Sequence, residues 1–275
     1  MEYTLLIDGG ATTSKVYLID SNKNIYSKEI FKGMNLYTNT NESLAELAKI
    51  NENYKEHNIK NIYLGAPGIH EFKKYEKLLE IFKEKCNIGN IHILTDIEVQ
   101  EFLFCEHENY LAISLGSGTV MIEKVNESKR IMSSFGPLIC DEGSAYMFAK
   151  EFIKEAIIEK EKFNFKSKFI KYTLDFFGFK DIEEIKTLYA DWNLIKPNFL
   201  KFSRYILLEQ QFVLTSEINI ILEKISRYFF EYIDSTKINY LIKTIYIFGG
   251  MVKNEYYRKL LTSGFIIRGF EVIIK

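Results

Sequence analysis

The chain has 275 residues, 47% of them hydrophobic, and sets 36 basic against 37 acidic side chains. So even a balance excludes the basic field that draws nucleic acid or anionic lipid, and no apolar run reaches the ~18 residues a membrane helix needs. What remains is a protein acting on a small molecule, with no nucleic acid and no membrane partner, in one large or two ordinary domains.

The first thirty residues read as strand, turn, strand, turn, strand: Tyr3–Ile7, the turn Asp8–Ser14, Lys15–Ile19, the polar turn Asp20–Asn24, then Ile25–Phe31. Such short links predict antiparallel pairing. A helix is predicted from about Glu42, with Asn41 as N-cap and Leu44, Leu47 and Ala48 on one face. Asn61–Leu64 reads as a strand, Gly65–Gly68 as a loop, and Phe72, Tyr75, Leu79 and Phe82 fall at helical spacing before the apolar run Ile91–Leu94. That β-α-β order predicts parallel strands, with Asp96 just past a strand's carboxyl end.

From Tyr110 the opening pattern returns: Tyr110–Leu115, the turn Gly116–Thr119, Val120–Val125, the polar turn Asn126–Lys129 and another short apolar run. This internal repeat predicts two similarly built domains, 1–108 and 109–275, joined without a Pro-, Gly- or Ser-rich linker. Residues Gly143 to about Asn239 read as helical, with apolar stripes such as Phe148, Phe152, Ile221, Ile225 and Phe229 that suit a core. The end returns to strand, turn, helix and strand: Thr244–Phe248, Gly249-Gly250, a helix through about Leu261, and Glu271–Ile274.

Two turns carry the small and hydroxyl residues that phosphate binding needs. Asp8-Gly9-Gly10-Ala11-Thr12-Thr13-Ser14-Lys15 combines backbone N–H groups that can approach a phosphate, hydroxyl donors, one lysine, and a carboxylate able to hold Mg²⁺ through water. An ordinary hairpin turn explains the same residues, and both readings stay open at this point. Gly116-Ser117-Gly118-Thr119 repeats the chemistry in the second half. Neither turn is a Walker A loop, since Ser14 precedes Lys15, nor a dinucleotide GxGxxG, since a strand follows. Asp141, Glu142 and Ser144 precede a helix and suit its capping. Cys86, Cys105 and Cys140 form no CxxC pair, and His57, His70, His92 and His107 lack zinc-ligand spacing, so no disulfide framework or structural metal is expected.

In their order and spacing, DGGATTSK, LTD at Asp96, GSGT, DEGSAY and the late FGG resemble the phosphate-1, catalytic-aspartate, phosphate-2, sugar-loop and adenosine motifs of N-acetylglucosamine kinases. Those belong to the BadF/BadG/BcrA/BcrD-type ATPase family of the actin-like ATPase superfamily. The resemblance spans residues 3 to about 260. It implies an α/β fold of two actin-like (ribonuclease H-like) domains, mixed sheets flanked by helices, with a cleft between them that closes on ATP and sugar. It implies Asp8 at Mg²⁺; Gly9, Gly10, Thr12, Thr13, Ser14, Lys15, Gly116, Ser117, Gly118 and Thr119 around the phosphates; and Gly249 and Gly250 against the nucleoside. Asn35 and Asp141 would contact the sugar, and Asp96 would take the proton of the accepting hydroxyl. Without the resemblance, the favoured reading of Asp96 is the N-cap of the helix running to Phe104.

The chain departs from the family pattern in carrying Cys140 where glycine is usual before DEGSAY, and in ending at Lys275 where relatives usually continue into a further helix. A cytoplasmic sugar kinase using ATP and Mg²⁺ is expected, its opening Tyr3–Asp8 lacking the regions of a signal peptide, and a homodimer is compatible with it. Two rivals share the fold family: an ATPase activator of a dehydratase or reductase, whose interfacial cysteines hold an iron–sulfur cluster, and a sugar- or nucleotide-binding regulator without turnover.

Overall fold

The computed structural model describes residues 2–9, 13–34, 40–65, 80, 90–133 and 135–275. The chain divides into two compact units, Met1–Cys105 and Glu106–Lys275. Among the described residues, no helix is long and apolar enough to cross a membrane.

The first unit holds β1 (Tyr3–Gly9), β2 (Thr13–Ile19), β3 (Ile25–Lys32), α1 (Thr40–Asn53), β4 (Ile59–Gly65), β5 (Asn90–Leu94) and α2 (Asp96–Phe104). Its sheet runs β3-β2-β1-β4-β5, with β1, β2 and β3 antiparallel and β1, β4 and β5 parallel. The central strands β1 and β2 are apolar on both faces because both are covered, whereas the edge strand β3 is largely exposed. Leu5, Ile7, Val16 and Leu18 pack with Leu44, Leu47 and Ile50 of α1, whereas Leu6, Tyr17 and Ile19 pack with Val99 of α2.

The second unit repeats the plan. Its strands are β6 (Tyr110–Leu115), β7 (Thr119–Val125), β8 (Ser128–Ser133), β9 (Thr244–Phe248) and β10 (Glu271–Ile274). They lie in the order β10-β9-β6-β7-β8. In both units the third, second, first, fourth and fifth strands therefore stand side by side in that order, which is the repeat legible in the sequence. Between β8 and β9 come α3 (Ala145–Glu161), α4 (Lys168–Phe177), a 3₁₀ segment (Ile182–Ala190), α5 (Trp192–Arg204), a π-helical turn (Tyr205–Glu209) and α6 (Thr215–Ser235). A 3₁₀ turn (Met251–Lys253) and α7 (Glu255–Ile267) follow β9. Phe148, Phe152, Ile221, Leu222, Ile225 and Phe229 are fully buried, each contributing roughly 1.5–3 kcal/mol of apolar transfer. The helical stripes are core, as their spacing predicts.

Some boundaries differ from expectation. α1 begins at Thr40, so Asn41 lies inside it rather than capping it. Gly65, expected in a loop, ends β4 because it completes the ladder, pairing with Asp8 on one side and Leu94 on the other. Asn126 takes a left-handed backbone at φ 53°, which tightens its turn so that β8 starts at Ser128. The helix expected over Phe72–Phe82 lies outside the described residues apart from Glu80, which is helical.

Candidate active site

In the first unit the register gathers charged and polar groups at one end of the sheet. Asp8 stands opposite Lys15 on β2 and Gly65 on β4; Gly65 stands opposite Leu94 on β5, and Asp96 opens α2 two residues later. These are the carboxyl ends of β1, β4 and β5, the edge where open α/β sheets place ligands. Asp8 Oδ2 lies 3.6 Å from Lys15 Nζ, the Asp8 side chain being 13% exposed and that of Lys15 46%. The same oxygen accepts a hydrogen bond of 2.7 Å from Gln100 Nε2. Gln100, one helical turn beyond Asp96, escaped the sequence reading; that i, i+4 spacing is the only signal that could have pointed to it.

The reading of Asp96 as a helix cap is overturned, because Thr95 fills that position. Thr95 Oγ1 accepts from Glu98 N at 3.3 Å, and Glu98 Oε2 accepts from Thr95 N at 2.7 Å, a complete capping box. Asp96 is the first helical residue, and the cap does not need it. Strand alternation separates the residues of the first turn. Thr13 and Lys15 are exposed on the face of β2 that carries α2, while Ser14 faces α1, wholly buried. Ser14 Oγ has no hydrogen-bond partner among the described residues, and the structure does not bring it to the Asp8–Lys15 side. Gly9 pairs with Ser14 at the ladder's end. Gly10, Thr12 and Asn35 lie outside the described residues.

In the second unit the DEGSAY segment is laced onto the GSGT turn. Gly116 N donates to Gly118 O at 3.0 Å, and Ala145 N donates to Gly116 O at 2.9 Å. Thr119 N donates to Asp141 Oδ1 at 3.0 Å, and Thr119 Oγ1 donates to Glu142 O at 2.7 Å. The Thr119 hydroxyl is thus spent on loop structure, while Ser117 is exposed at the tip. Ser144 caps α3, its Oγ accepting from Met147 N at 3.2 Å, so of the three residues suited to capping it is Ser144 that does so. Cys140 is buried, and its backbone is not left-handed, so the position does not require glycine. Cys86 lies outside the described residues.

Asp141 is 7% exposed. Its Oδ2, like Glu142 Oε2, is buried without a hydrogen-bond partner among the described residues. Burial pushes the Asp141 carboxyl above the usual carboxylate range, opposed by the Thr119 N–H and the charge of Lys196. A carboxyl raised by folding contributes stability that is present below its unfolded value and lost as pH rises through the folded one. Asp141→Asn is therefore expected to melt higher than the wild type at neutral pH without ligand, the gap closing as pH falls below the ordinary aspartate range. Thermal melts of both proteins from pH 3 to 8 check this.

The late glycines do different work. Gly249 has φ 109°, and a Cβ there would stand 2.3 Å from Leu115 O, so β9 can leave the sheet past β6 only with glycine. Gly249→Ala is expected to cost about 2–4 kcal/mol, from the left-handed backbone and a clash no side chain can relieve; urea unfolding measures it. At Gly116 and Gly250, by contrast, a Cβ would meet nothing within 4 Å. Packing requires no glycine at either, and both line a cavity of about 400 Å³.

Ser117, Ala145 and Met251 share that wall, and Leu200, Ser203, Arg204, Leu207, Leu208 and Gln211 form the other. This second wall comes from α5, the π-helical turn and the turn that follows it, a π-helical segment being a feature frequent at functional sites, and it too was missed by the sequence reading. The cavity has the size of an ordinary small-molecule site, with largely aliphatic walls and a few polar groups.

No family model and no curated protein matches the chain. Among solved structures, a candidate N-acetylglucosamine kinase of Porphyromonas gingivalis superposes with a TM-score of 0.73 at 17% identity, over 99% of this chain and 95% of that one. Another from Chromobacterium violaceum gives 0.72 at 15% identity, over 98% and 94%. A ROK family glucokinase of Streptomyces griseus, solved with glucose and AMPPNP, gives 0.59 at 13% identity, over 99% and 94%. The chain has the actin-like ATPase fold of these sugar kinases.

Among the described residues no group of three or more His, Cys, Asp or Glu side chains could hold a metal ion by itself. Asp8 offers a carboxylate oxygen of the type Mg²⁺ takes together with phosphates and water. The Lys15 ammonium beside it is free to serve phosphate oxygens as well, being nearly half exposed. The unpartnered oxygens of Asp141 and Glu142 are acceptors that hydroxyl groups of a ligand would satisfy.

Proposed function

We propose that the chain is a cytoplasmic, ATP-dependent sugar kinase that transfers the γ-phosphate of ATP to a hydroxyl of an amino sugar, N-acetylglucosamine being the first candidate. The observation that carries the reading is the cavity in the second unit. It joins the expected phosphate turn, through Gly116 and Ser117, to the expected nucleoside turn, through Gly250, at two glycines that packing does not require.

In this reading the aliphatic wall from Leu200 to Leu208 takes the base by dispersion and burial, and the open glycines let backbone N–H groups approach phosphate oxygens. Asp8 would hold Mg²⁺, which when bound neutralises charge on the β- and γ-phosphates. Lys15 adds a second positive charge for the transferred group. Asp96 accepts the proton of the attacking hydroxyl, and Asp141 receives hydrogen bonds from other hydroxyls of the acceptor. The chain's part is positioning and charge stabilisation, which is most of what phosphoryl transfer asks of a protein.

The solved structures similar in fold include N-acetylglucosamine kinase candidates and a glucokinase bound to glucose, which supports a sugar as acceptor and leaves its identity to experiment. ADP release measured over hexoses, N-acetylhexosamines and free hexosamines is expected to be fastest with N-acetylglucosamine. A flat response across the panel would overturn the sugar-kinase reading.

A further inference from the structure

We propose that Gln100 is a positioning residue for Asp8, holding from α2 the carboxylate that serves the metal-bound phosphates. The inference rests on the kinase reading of Asp8. Gln100 Nε2 reaches Asp8 Oδ2 at 2.7 Å across 92 positions of sequence, and the Asp8 side chain is only 13% exposed, so little water competes for that oxygen.

The bond is not needed to dock the helix. α2 is already held by Val99, wholly buried against Leu6, Tyr17 and Ile19, and its first turn is fixed by the Thr95–Glu98 capping box. Gly65 sets the distance: a Cβ there would stand 2.3 Å from Val99 Cγ2 and 3.1 Å from Thr95 O. The missing side chain lets α2 approach the end of β4, and Gln100, next after Val99, comes within reach of Asp8.

The amide chemistry separates Gln100 from Lys15. Lys15, at 3.6 Å, offsets the carboxylate's charge. The neutral glutamine N–H fixes the orientation of one oxygen and leaves the charge available to a cation. Hydrogen bonds of this kind to metal-ligating groups are typically worth about 10–100-fold in metal affinity.

The test compares wild type, Gln100→Met, Gln100→Ala and Asp8→Asn. Gln100→Met keeps side-chain length and helix propensity while removing the donor. Mn²⁺ binding is measured by calorimetry in the presence of a non-hydrolysable ATP analogue, alongside melting temperature and steady-state kinetics. Gln100→Met and Gln100→Ala are expected to weaken Mn²⁺ about 10-fold or more and to raise the Mg²⁺ concentration for half-maximal rate in step. The sugar KM and the melting temperature should stay near wild type. Wild-type Mn²⁺ affinity in both Gln100 variants, or a loss of folding in both, would overturn the proposal and leave Gln100 a structural contact. If Asp8→Asn also binds Mn²⁺ as wild type does, the kinase reading of Asp8 fails and the proposal with it. If Asp8→Asn alone weakens Mn²⁺, the reading stands and only the role of Gln100 falls.

Discussion

Asp96→Asn is expected to lower kcat by ~10²–10⁴-fold while ATP affinity stays within about twofold. Asparagine keeps the shape of the side chain and cannot accept the hydroxyl proton. The helix cap does not depend on this residue: Thr95 and Glu98 form the capping box of α2, which the substitution leaves in place, and the lost first-turn charge is worth about 0.3–1 kcal/mol toward the helix dipole. Stability and turnover therefore separate. ADP release with and without N-acetylglucosamine gives the rate, and calorimetric ATP titration gives the affinity. Sugar phosphorylation at the wild-type rate by Asp96→Asn would remove Asp96 from the chemistry.

Gly250→Leu is expected to abolish the rise in melting temperature that Mg²⁺·ATP gives the wild type, while leaving the ligand-free melting temperature almost unchanged. Gly250 has an ordinary right-handed backbone, φ −70° and ψ −28°, and a Cβ there would meet nothing within 4 Å. The first carbon of a side chain is thus accommodated, and the rest of the leucine is expected to take up space in the cavity of about 400 Å³ that Gly250 lines. A ligand that binds only the folded state raises stability by RT ln(1 + [L]/Kd), about 2.7 kcal/mol at one hundred times Kd, and blocking the cavity removes that increment. The neighbouring Gly249→Ala is the reverse case, damaging the fold directly. A Gly250→Leu protein still stabilised by ATP as the wild type is would place the nucleotide elsewhere.

The strands and both hairpins were legible because they are local: short apolar runs alternate with Gly, Asn and Ser turns, and the same pattern comes twice. The end of the strand before Asp96 was legible for the same reason. Gln100 was not, because its meaning comes from Asp8, and only the closeness of Gly65 to α2 joins the two. The cavity wall from Leu200 to Gln211 was not legible either. An apolar and polar mixture at helical spacing looks like any half-buried helix, and nothing local marks the π-helical turn. Ser14 shows the opposite failure. The period-2 rule puts it on the face away from Lys15, yet grouping the whole turn by residue type placed both at the phosphates. In DEGSAY the sequence offers Asp141, Glu142 and Ser144 alike for capping; Ser144 caps the helix and Asp141 clips the GSGT turn, a division only tertiary contacts decide.

Consumption of ATP to phosphorylate a sugar is the property that decides most directly for or against a sugar kinase. Purified protein incubated with Mg²⁺·ATP and N-acetylglucosamine is expected to yield ADP and a sugar monophosphate in equal amounts, the product identified by mass spectrometry, and neither should form at that rate without sugar. ADP formed with no phosphorylated sugar, or no sugar-dependent ADP with any member of the hexose and hexosamine panel, would contradict it.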